Sequence, residues 1–488
     1  MGKLQQKAIR GVKWTTLETL TVAVCSLILL VIQAKFLLPA EFAALAIVTI
    51  FIGLFRLFED FGISQAIIQR NDIQVEESSS LLILNILLSL LLGFSLFFFS
   101  NFFAIFFEME ELKKLLKLTS LIVILNGPSL LFRAFLEKSL HFKELSISNI
   151  AKNILLVIST LVFLYSGLGI LGVLLGQIIS VAFGAIAIIL IGIRKKTTKV
   201  TFYFKFSKVR SFLGFGGYVT GKQIMAYLTT RIDEFLIAYL LSPEILGAYH
   251  FAKNMLENLR SLLTASFSKV LYSVLSKVKN DQNKLTFVYM KVSRYVAFFA
   301  FPIFIGVSIT SHLFVPIFFG EAWKPSIPFF QVFSIVLILL VLTANITTSL
   351  LYSIGKPNVV FYIDVITSCL YILVLYLFKF QNVYLIMTLY CSYIVVKCVL
   401  LQYFTNKCLS NSFYAYILNL KNVIIATLLM GIAVITINKL VLEGFKIFWQ
   451  LIISIVIGVL LYFLGVLILE KKTVKELNNA FLKGRLGD

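Results

Sequence analysis

Runs of about 20 apolar residues alternate with short polar segments along almost the whole chain. A helix needs about 20 predominantly apolar residues to cross a membrane, so each run has the length of one crossing. The pattern predicts fourteen membrane-spanning helices, and we therefore expect an all-α polytopic membrane protein. The predicted spans are residues 15–36, 40–63, 80–104, 113–136, 145–165, 169–193, 211–240, 244–275, 285–311, 326–353, 358–378, 383–404, 417–438 and 447–469.

The composition strengthens this prediction. Of the 488 residues, 59% are apolar and only 14% are charged. Soluble domains are typically about 45–50% apolar and about a quarter charged, so the apolar excess must face lipid. A soluble enzyme with a single membrane anchor is excluded, because this many crossings leave no room for a separate domain.

Basic residues outnumber acidic ones by 44 to 23, which gives a net charge of +21. With fourteen crossings, 26 of these bases fall in loops on the side of the amino terminus and 7 on the other side. The positive-inside rule then places both termini in the cytoplasm. The basic charge therefore reflects membrane topology, and no nucleic-acid partner is expected.

The longest loop, residues 194–210, contains seven bases and no acid. Topology explains these bases, and contact with anionic lipid headgroups is a second interpretation. The loop separates six predicted helices from eight, and segments 37–44 and 240–247 resemble each other at an offset of 203 residues. Repeated six-helix halves are typical of transporters. We predict an N-terminal lobe (1–193), a basic cytoplasmic linker (194–210), a C-terminal lobe (211–405), helices 13 and 14 (406–470) and a cytoplasmic tail (471–488).

Two familiar site types are not indicated by the residues. Residues 216–222 match the start of a phosphate-binding P-loop, but Gln223 stands where Ser or Thr would bind magnesium. The five cysteines include no C-x-x-C pair and the three histidines are far apart, so we expect no metal site. Glycines four residues apart, which let helices pack closely, are the simpler interpretation of Gly217 with Gly221 and of Gly172 with Gly176.

Sixteen of the charged residues in the predicted spans are interpreted as buried in the membrane, where a charge costs roughly 2.5–3.5 kcal/mol on insertion scales. Two interpretations stay open. The charges pair with one another and fix helix register, or the bases face a cavity that binds a phosphate-bearing substrate while acids bind sodium or a proton. The bases are Arg56, Arg133, Lys152, Lys222, Arg231, Lys253, Arg260, Arg294 and Lys397, and the acids are Glu18, Glu59, Asp60, Asp233, Glu234, Glu257 and Asp364.

Several short motifs occur in a characteristic order at residues 10–14, 61–70, 140–143, 231–233 and 242–247. Together with the fourteen spans, they resemble polysaccharide flippases of the Wzx and teichuronic acid exporter type. These flippases belong to the multidrug, oligosaccharidyl-lipid and polysaccharide exporter superfamily. The resemblance covers nearly the whole chain and is strongest before residue 260.

The resemblance implies a V-shaped pair of six-helix lobes around a cationic cavity. By alternating access, such a protein moves an undecaprenyl-pyrophosphate-linked oligosaccharide across the bacterial cytoplasmic membrane, without a cofactor. A sodium or proton gradient is the candidate driving force, and membrane lipids and polysaccharide polymerase machinery are candidate partners. The substrate-binding candidates are Lys222, Arg231, Lys253 and Arg260, with Arg56 less supported; the ion-coupling candidates are Glu18, Glu59, Asp60, Asp233 and Glu257.

Two other functions are compatible with a polytopic membrane protein. A small-molecule or cation antiporter of the same superfamily would need a cavity dominated by acids. A membrane polysaccharide polymerase would need catalytic groups in an outward loop, and the outward loops near residues 104–113 and 311–325 contain no plausible pair of acid and base. We therefore expect a transporter rather than an enzyme.

Overall fold

The computed structural model describes residues 2–70, 72–278, 280–378 and 382–470, and this part of the chain is built from helices without strands. The first helices are α1 (Gly2–Phe36), α2 (Pro39–Asp60), α3 (Ile63–Gln69), α4 (Val75–Phe106), α5 (Glu110–Lys138), α6 (Phe142–Tyr165), α7 (Gly169–Arg194) and α8 (Phe206–Leu240). They are followed by α9 (Pro243–Val278), α10 (Gln282–Phe319), α11 (Ile327–Leu340), α12 (Thr348–Ser353), α13 (Pro357–Leu377), α14 (Val383–Cys408), α15 (Phe413–Leu440) and α16 (Ile447–Leu469). A 3-10 turn (Glu321–Ser326) precedes α11, and a π-helix (Val341–Thr347) joins α11 to α12.

The predicted all-α membrane fold is confirmed. Within the described residues, twelve helices are long and apolar enough to cross a membrane, when the continuous stretch Glu321–Ser353 is counted as one helix. Helices α8 and α9, which contain the predicted seventh and eighth spans, are not among them, and both contain clusters of charged residues. The count of fourteen crossings therefore stays a prediction.

The predicted second span, residues 40–63, is too long. Helix α2 ends at Asp60, because Phe61 (φ 37°) and Gly62 (φ 66°) adopt left-handed backbone conformations that a helix cannot continue. Asp60 then stabilises the start of α3, since its carboxylate accepts hydrogen bonds from the backbone N–H and the hydroxyl of Ser64. A glycine suits this break because the left-handed region carries no steric cost for it.

Contacts between residues divide the described chain into two compact units. Unit 1 contains the residues up to Phe251 together with Asn382 and Val383, and unit 2 contains 252–378 and the residues from Tyr384 onward. The boundary between the units falls inside α9. The division at residues 194–210 that the sequence suggests stays a prediction.

The core of unit 1 joins α3, α4, α5 and α8. Its fully buried side chains include Ile67, Leu81, Leu131, Val209 and Phe212, which form one apolar cluster. Helix α3 follows the left-handed break directly. Its buried side chains belong to this cluster, which fixes the short helix against α5 and α8.

Close glycine packing is confirmed for one of the two predicted pairs. A side chain at Gly172 would lie 3.1 Å from the carbonyl carbon of Phe163, and one at Gly176 would lie 2.9 Å from the amide nitrogen of Thr160. Helix α7 therefore packs directly against the α6 backbone. The prediction is wrong for Gly217 and Gly221, because a side chain at Gly221 would meet no described atom within 4 Å.

The two repeated segments around residues 37–44 and 240–247 contact each other within unit 1. A side chain at Gly247 would overlap the carbonyl oxygen of Pro39, so only glycine allows this approach of the two backbones. Next to this contact, the rings of Phe42 and Phe251 meet edge to face at 5.7 Å.

Replacing Gly247 with alanine is expected to destabilise the protein by at least about 2 kcal/mol, because the added methyl group forces two backbones apart. The matched control is Gly221→Ala, whose methyl group has open space within the described structure. Thermal unfolding of the two detergent-purified variants tests this expectation. Equal midpoints would show that the start of α2 at Pro39 can move aside without a loss of stability.

In unit 2, α10 packs against α11, α15 and α16. The side chains of Phe298, Met430, Tyr462 and Val466 form an apolar cluster, and the Tyr462 hydroxyl donates to the Phe298 carbonyl oxygen at 2.6 Å. This hydrogen bond satisfies a polar group that would otherwise be buried without a partner.

A buried polar network links α10, the π-helix and α14. The hydroxyl of Tyr289 lies 3.0 Å from that of Thr347 and donates to Oε1 of Gln402 at 2.8 Å. Gln402 in turn donates to Oδ1 of Asn406 at 2.9 Å. The network fixes the rotation of three helices relative to one another, because each hydrogen bond depends on the direction of its side chain.

Candidate functional site

A polar cavity of about 110 Å³ lies inside unit 1, between α2, α5, α6 and α7. Its polar lining residues are Arg56, Glu59, Asn126, Lys152 and Gln177. The remaining lining is aliphatic, from Ile52, Ile122, Val123 and Val181. Polar residues that converge in this way within membrane-spanning helices are costly to bury, so the cavity is the strongest candidate for a functional site in this unit.

Helical spacing and small residues position the charged groups of this cavity. Arg56 and Glu59 are three residues apart on α2 and so share one face of the helix. The stem of Lys152 passes next to Gly184 of α7, where a side chain would lie 2.7 Å from Cδ of the lysine. Ser180 of α7 also donates to the Lys152 carbonyl oxygen at 2.8 Å. Helices α6 and α7 therefore fix the base where it lines the cavity.

The one acid in the cavity lining, Glu59, is only 1% exposed. Nδ2 of Asn126 donates to Oε2 of Glu59 at 2.8 Å. Oε1 of Glu59 has no hydrogen-bond partner among the described residues. A buried acceptor without a partner is unusual, and it leaves Glu59 able to accept a further hydrogen bond from a bound group.

The charged lining of the cavity has an excess of one base. Arg133 lies within electrostatic range of both Arg56 and Lys152, although its Nε also binds Glu137 at 3.1 Å. Arg56 and Lys152 line the cavity together with Glu59, and Arg133 approaches from α5 outside the lining. Asp60 is also within electrostatic range of Arg56. Arginine and lysine donors in such a group can bind phosphate oxygens. Of these three bases, only Arg56 was among the predicted substrate-binding residues.

Two of the predicted substrate-binding bases have a carboxylate partner nearby on the same helix. Nη1 of Arg231 lies 2.7 Å from Oε1 of Glu234 in unit 1. Nε of Arg260 lies 2.7 Å from Oε2 of Glu257 in unit 2. Their positive charges are therefore partly neutralised where they stand.

The other two predicted bases have different surroundings. Lys253 is 6% exposed, and its Nζ lies 4.5 Å from the centre of the Tyr390 ring, in a cation–π contact. Lys253, Glu257 and Tyr390 also line a small apolar pocket in unit 2. The side chain of Lys222 is exposed on α8.

Two of the predicted ion-coupling acids, Glu18 and Asp233, each accept hydrogen bonds from neighbouring side chains within unit 1. The two oxygens of Glu18 accept hydrogen bonds from Ser146 and Asn149 of α6, each at 2.7 Å. Asp233 is fully buried and accepts from the Tyr249 hydroxyl at 2.5 Å. Among the described residues, no three His, Cys, Asp or Glu side chains come close enough to hold a metal ion.

Glu234 is a buried acid that was not among the predicted ion-coupling residues. It is fully buried and joins two partners, Nη1 of Arg231 at 2.7 Å and Nδ1 of His250 at 2.7 Å. Arg231 and Glu234 are three residues apart on one helix, and this spacing was a visible signal in the sequence for their ion pair. The contact with His250 comes from the packing of α8 against α9 and has no signal in the sequence.

Comparisons with known proteins give consistent results. Residues 32–328 match the family described as "Polysaccharide biosynthesis protein". The chain is 26% identical over 370 residues to the lipopolysaccharide biosynthesis protein WzxC of Escherichia coli (strain K12), which covers 76% of this chain and 74% of WzxC. It is 24% identical to the teichuronic acid biosynthesis protein TuaB of Bacillus subtilis (strain 168), over 75% of each protein. An uncharacterized membrane protein in the cps region of Klebsiella pneumoniae is 27% identical over 98% of both chains.

Solved structures identify the fold. The inward closed conformation of the lipid II flippase MurJ matches 94% of this chain and 99% of its own, with a TM-score of 0.77 and 18% identity. An inward-facing multidrug resistance transporter of the MATE family matches 80% of this chain and 94% of its own, with a TM-score of 0.57 and 14% identity. The MATE protein is described as a member of the MOP superfamily, so the chain shares the fold of that superfamily.

Proposed function

Because this chain belongs to the polysaccharide biosynthesis protein family, we propose that it is a flippase that moves a lipid-linked oligosaccharide across a membrane. Its relatives are named for the biosynthesis of lipopolysaccharide, teichuronic acid and amylovoran. A flippase for a lipid-linked precursor, MurJ, has the same fold. The observation that carries the proposal is the polar cavity of unit 1, with Arg56 and Lys152 in its lining and Arg133 within electrostatic range.

The headgroup is the part of the substrate that hydrocarbon excludes. Sugar hydroxyls and phosphates lose their hydrogen bonds to water if they enter hydrocarbon, and each unpaired group costs several kcal/mol. Inside the protein, Arg56, Arg133 and Lys152 supply donors for phosphate oxygens, and Asn126 and Gln177 supply amides for hydroxyls. The lipid chain stays in the bilayer while the headgroup crosses.

The finer features of this function are also proposals. The substrate is an oligosaccharide on undecaprenyl pyrophosphate, and the protein lies in the bacterial cytoplasmic membrane with both termini in the cytoplasm. The excess of basic residues in loops on the amino-terminal side supports this orientation. A sodium or proton gradient drives the cycle, and polysaccharide polymerase machinery uses the product. The protein itself makes or breaks no covalent bond.

The charge of the cavity also separates this function from cation antiport, which the MATE-like fold would permit. The two bases and one acid of the lining give it a net positive charge, which repels a cationic drug and attracts a pyrophosphate. The cavity therefore favours an anionic substrate.

Deletion of the gene is expected to leave the lipid-linked oligosaccharide on the inner leaflet of the cytoplasmic membrane. The measurement is access of the lipid-linked sugars, in intact spheroplasts, to a glycosidase or lectin that cannot cross the membrane. A polymerase would instead leave unpolymerised units on the outer leaflet. Accumulation on the outer leaflet would therefore contradict the flippase proposal.

A further inference from the structure

The connection between α7 and α8, residues 195–205, has no helix, yet it is firmly attached to unit 1. The backbone N–H of Thr201 donates to the Ser79 hydroxyl at 2.8 Å, and that of Lys205 donates to the Ser80 hydroxyl at 3.1 Å. Val200 packs against the apolar core of the same unit. The connection therefore has a defined position relative to α4.

That position sets the depth of the connection in the membrane. Ser79 and Ser80 belong to the polar first turns of α4, and the apolar run of this helix starts at Leu81. Helix α7 ends at Arg194, directly before the connection. Since α4 and α7 both have the length and composition of membrane spans, the connection lies where hydrocarbon gives way to headgroups.

Three phenylalanines project from this connection. Phe202 is fully exposed, and Phe204 and Phe206 are 44% and 57% exposed. Phe202 lies at a bend, Phe204 follows in the non-helical segment and Phe206 is the first residue of α8, so three exposed rings fall within five residues, while the intervening Tyr203 is half-buried. In water this arrangement would be unfavourable, but aromatic rings are stable at the boundary between headgroups and acyl chains.

The bases around these rings fall into two groups. Lys195 pairs with Glu144 at 2.7 Å, and Lys208 pairs with Glu76 at 2.9 Å. Lys199, Lys205 and Arg210 are exposed, and none of them has a carboxylate within salt-bridge distance among the described residues. Because residues 194–210 contain no acid, the charge of this second group is not compensated locally.

We propose that Phe202, Phe204 and Phe206, together with Lys199, Lys205 and Arg210, form a binding site for anionic phospholipid. The rings insert among the acyl chains, and the bases bind the phosphates of the headgroups. An acidic protein partner would fit the bases as well, but it would not explain three exposed rings at the depth of the membrane boundary. This inference concerns the surrounding leaflet and does not depend on the identity of the transported substrate.

Fluorescence quenching tests the site in the full-length protein. The variant Phe202→Trp is reconstituted in mixed phosphatidylglycerol and phosphatidylcholine, with bromine atoms on only one of the two lipids. The emission of the added tryptophan is obtained by subtracting the fluorescence of the unsubstituted protein from that of the variant. We expect brominated phosphatidylglycerol to quench it as if enriched about fivefold over the bulk mixture.

Charge removal then separates the outcomes. In the Phe202→Trp background, the combined variant K199Q/K205Q/R210Q is expected to lower the enrichment to about onefold. The control K439Q/K446Q, which the sequence predicts to lie on the other membrane face, is expected to leave it unchanged. Equal quenching by both lipids before charge removal would overturn the proposal, because the segment would then be a nonselective anchor. Absence of quenching would also overturn it, and would point to a protein partner at this surface.

Discussion

Replacing Lys152 with methionine is expected to reduce export of the polysaccharide roughly tenfold or more, with little change in the amount of protein in the membrane. Methionine replaces the lysine stem as far as Cε and fills the space next to Gly184, but it removes the charged Nζ donor from the cavity. A hydrogen bond to a charged group contributes about 1.5–3 kcal/mol, which corresponds to a factor of about 10–100 in binding. Surface polysaccharide in a complemented deletion strain is the measurement.

The matched control for Lys152→Met is Lys114→Gln, because Lys114 is exposed at the start of α5 and lies away from the cavity. Lys152→Arg is expected to retain most of the export, since it preserves the charge and the donors. Normal export by Lys152→Met, or equal losses in Lys152→Met and Lys114→Gln, would remove the cavity from the proposed transport path.

Replacing Glu234 with alanine is expected to lower the free energy of unfolding by about 3 kcal/mol. Glu234 is fully buried and lies 2.7 Å from both Arg231 and His250, so its removal takes the carboxylate from the buried His250 and the partly exposed Arg231 at once. Breaking one side of a buried ion pair typically costs about 3–5 kcal/mol, and the partial exposure of Arg231 places the expected value at the lower end.

Glu321→Ala is the control for Glu234→Ala. Glu321 also pairs with a base three residues away, Lys324, but both side chains are more than half exposed. An exposed pair contributes about 0–1 kcal/mol, so this variant should unfold almost like the parent protein. The measurement is unfolding of the detergent-solubilised protein by sodium dodecyl sulfate. Equal midpoints for both variants would show that the contacts of Glu234 add nothing to stability.

The fold was largely predictable because a membrane-spanning helix is recognisable from its local sequence alone. An apolar run of about 20 residues identifies a helix without any knowledge of its neighbours, and all fourteen predicted spans lie mainly in helices. The predicted ends of the helices were less accurate than their predicted positions. The glycine at position 62 was a visible signal that α2 would end near Asp60, since glycine commonly follows a helix terminus in the left-handed conformation.

The candidate site was less predictable because it depends on contacts between distant parts of the chain. Helical spacing placed Arg56 and Glu59 on one face, which the structure shows lining the polar cavity. It gave no reason to bring Asn126 and Lys152 to the same place from α5 and α6. Spacing was informative about local partners, since Glu257 and Arg260 are three residues apart and form an ion pair.

The π-helix between α11 and α12 makes the register of the following segment unusually sensitive to deletions. A turn closed by i→i+5 hydrogen bonds contains one residue more than an α-helical turn, so it advances the following residues by about 100° around the helix axis. Thr347 reaches Tyr289 only with this extra residue in place. An in-frame loss of one codon within residues 341–347 would therefore leave the apolar run almost unchanged, yet it would rotate the rest of the helix away from its partners.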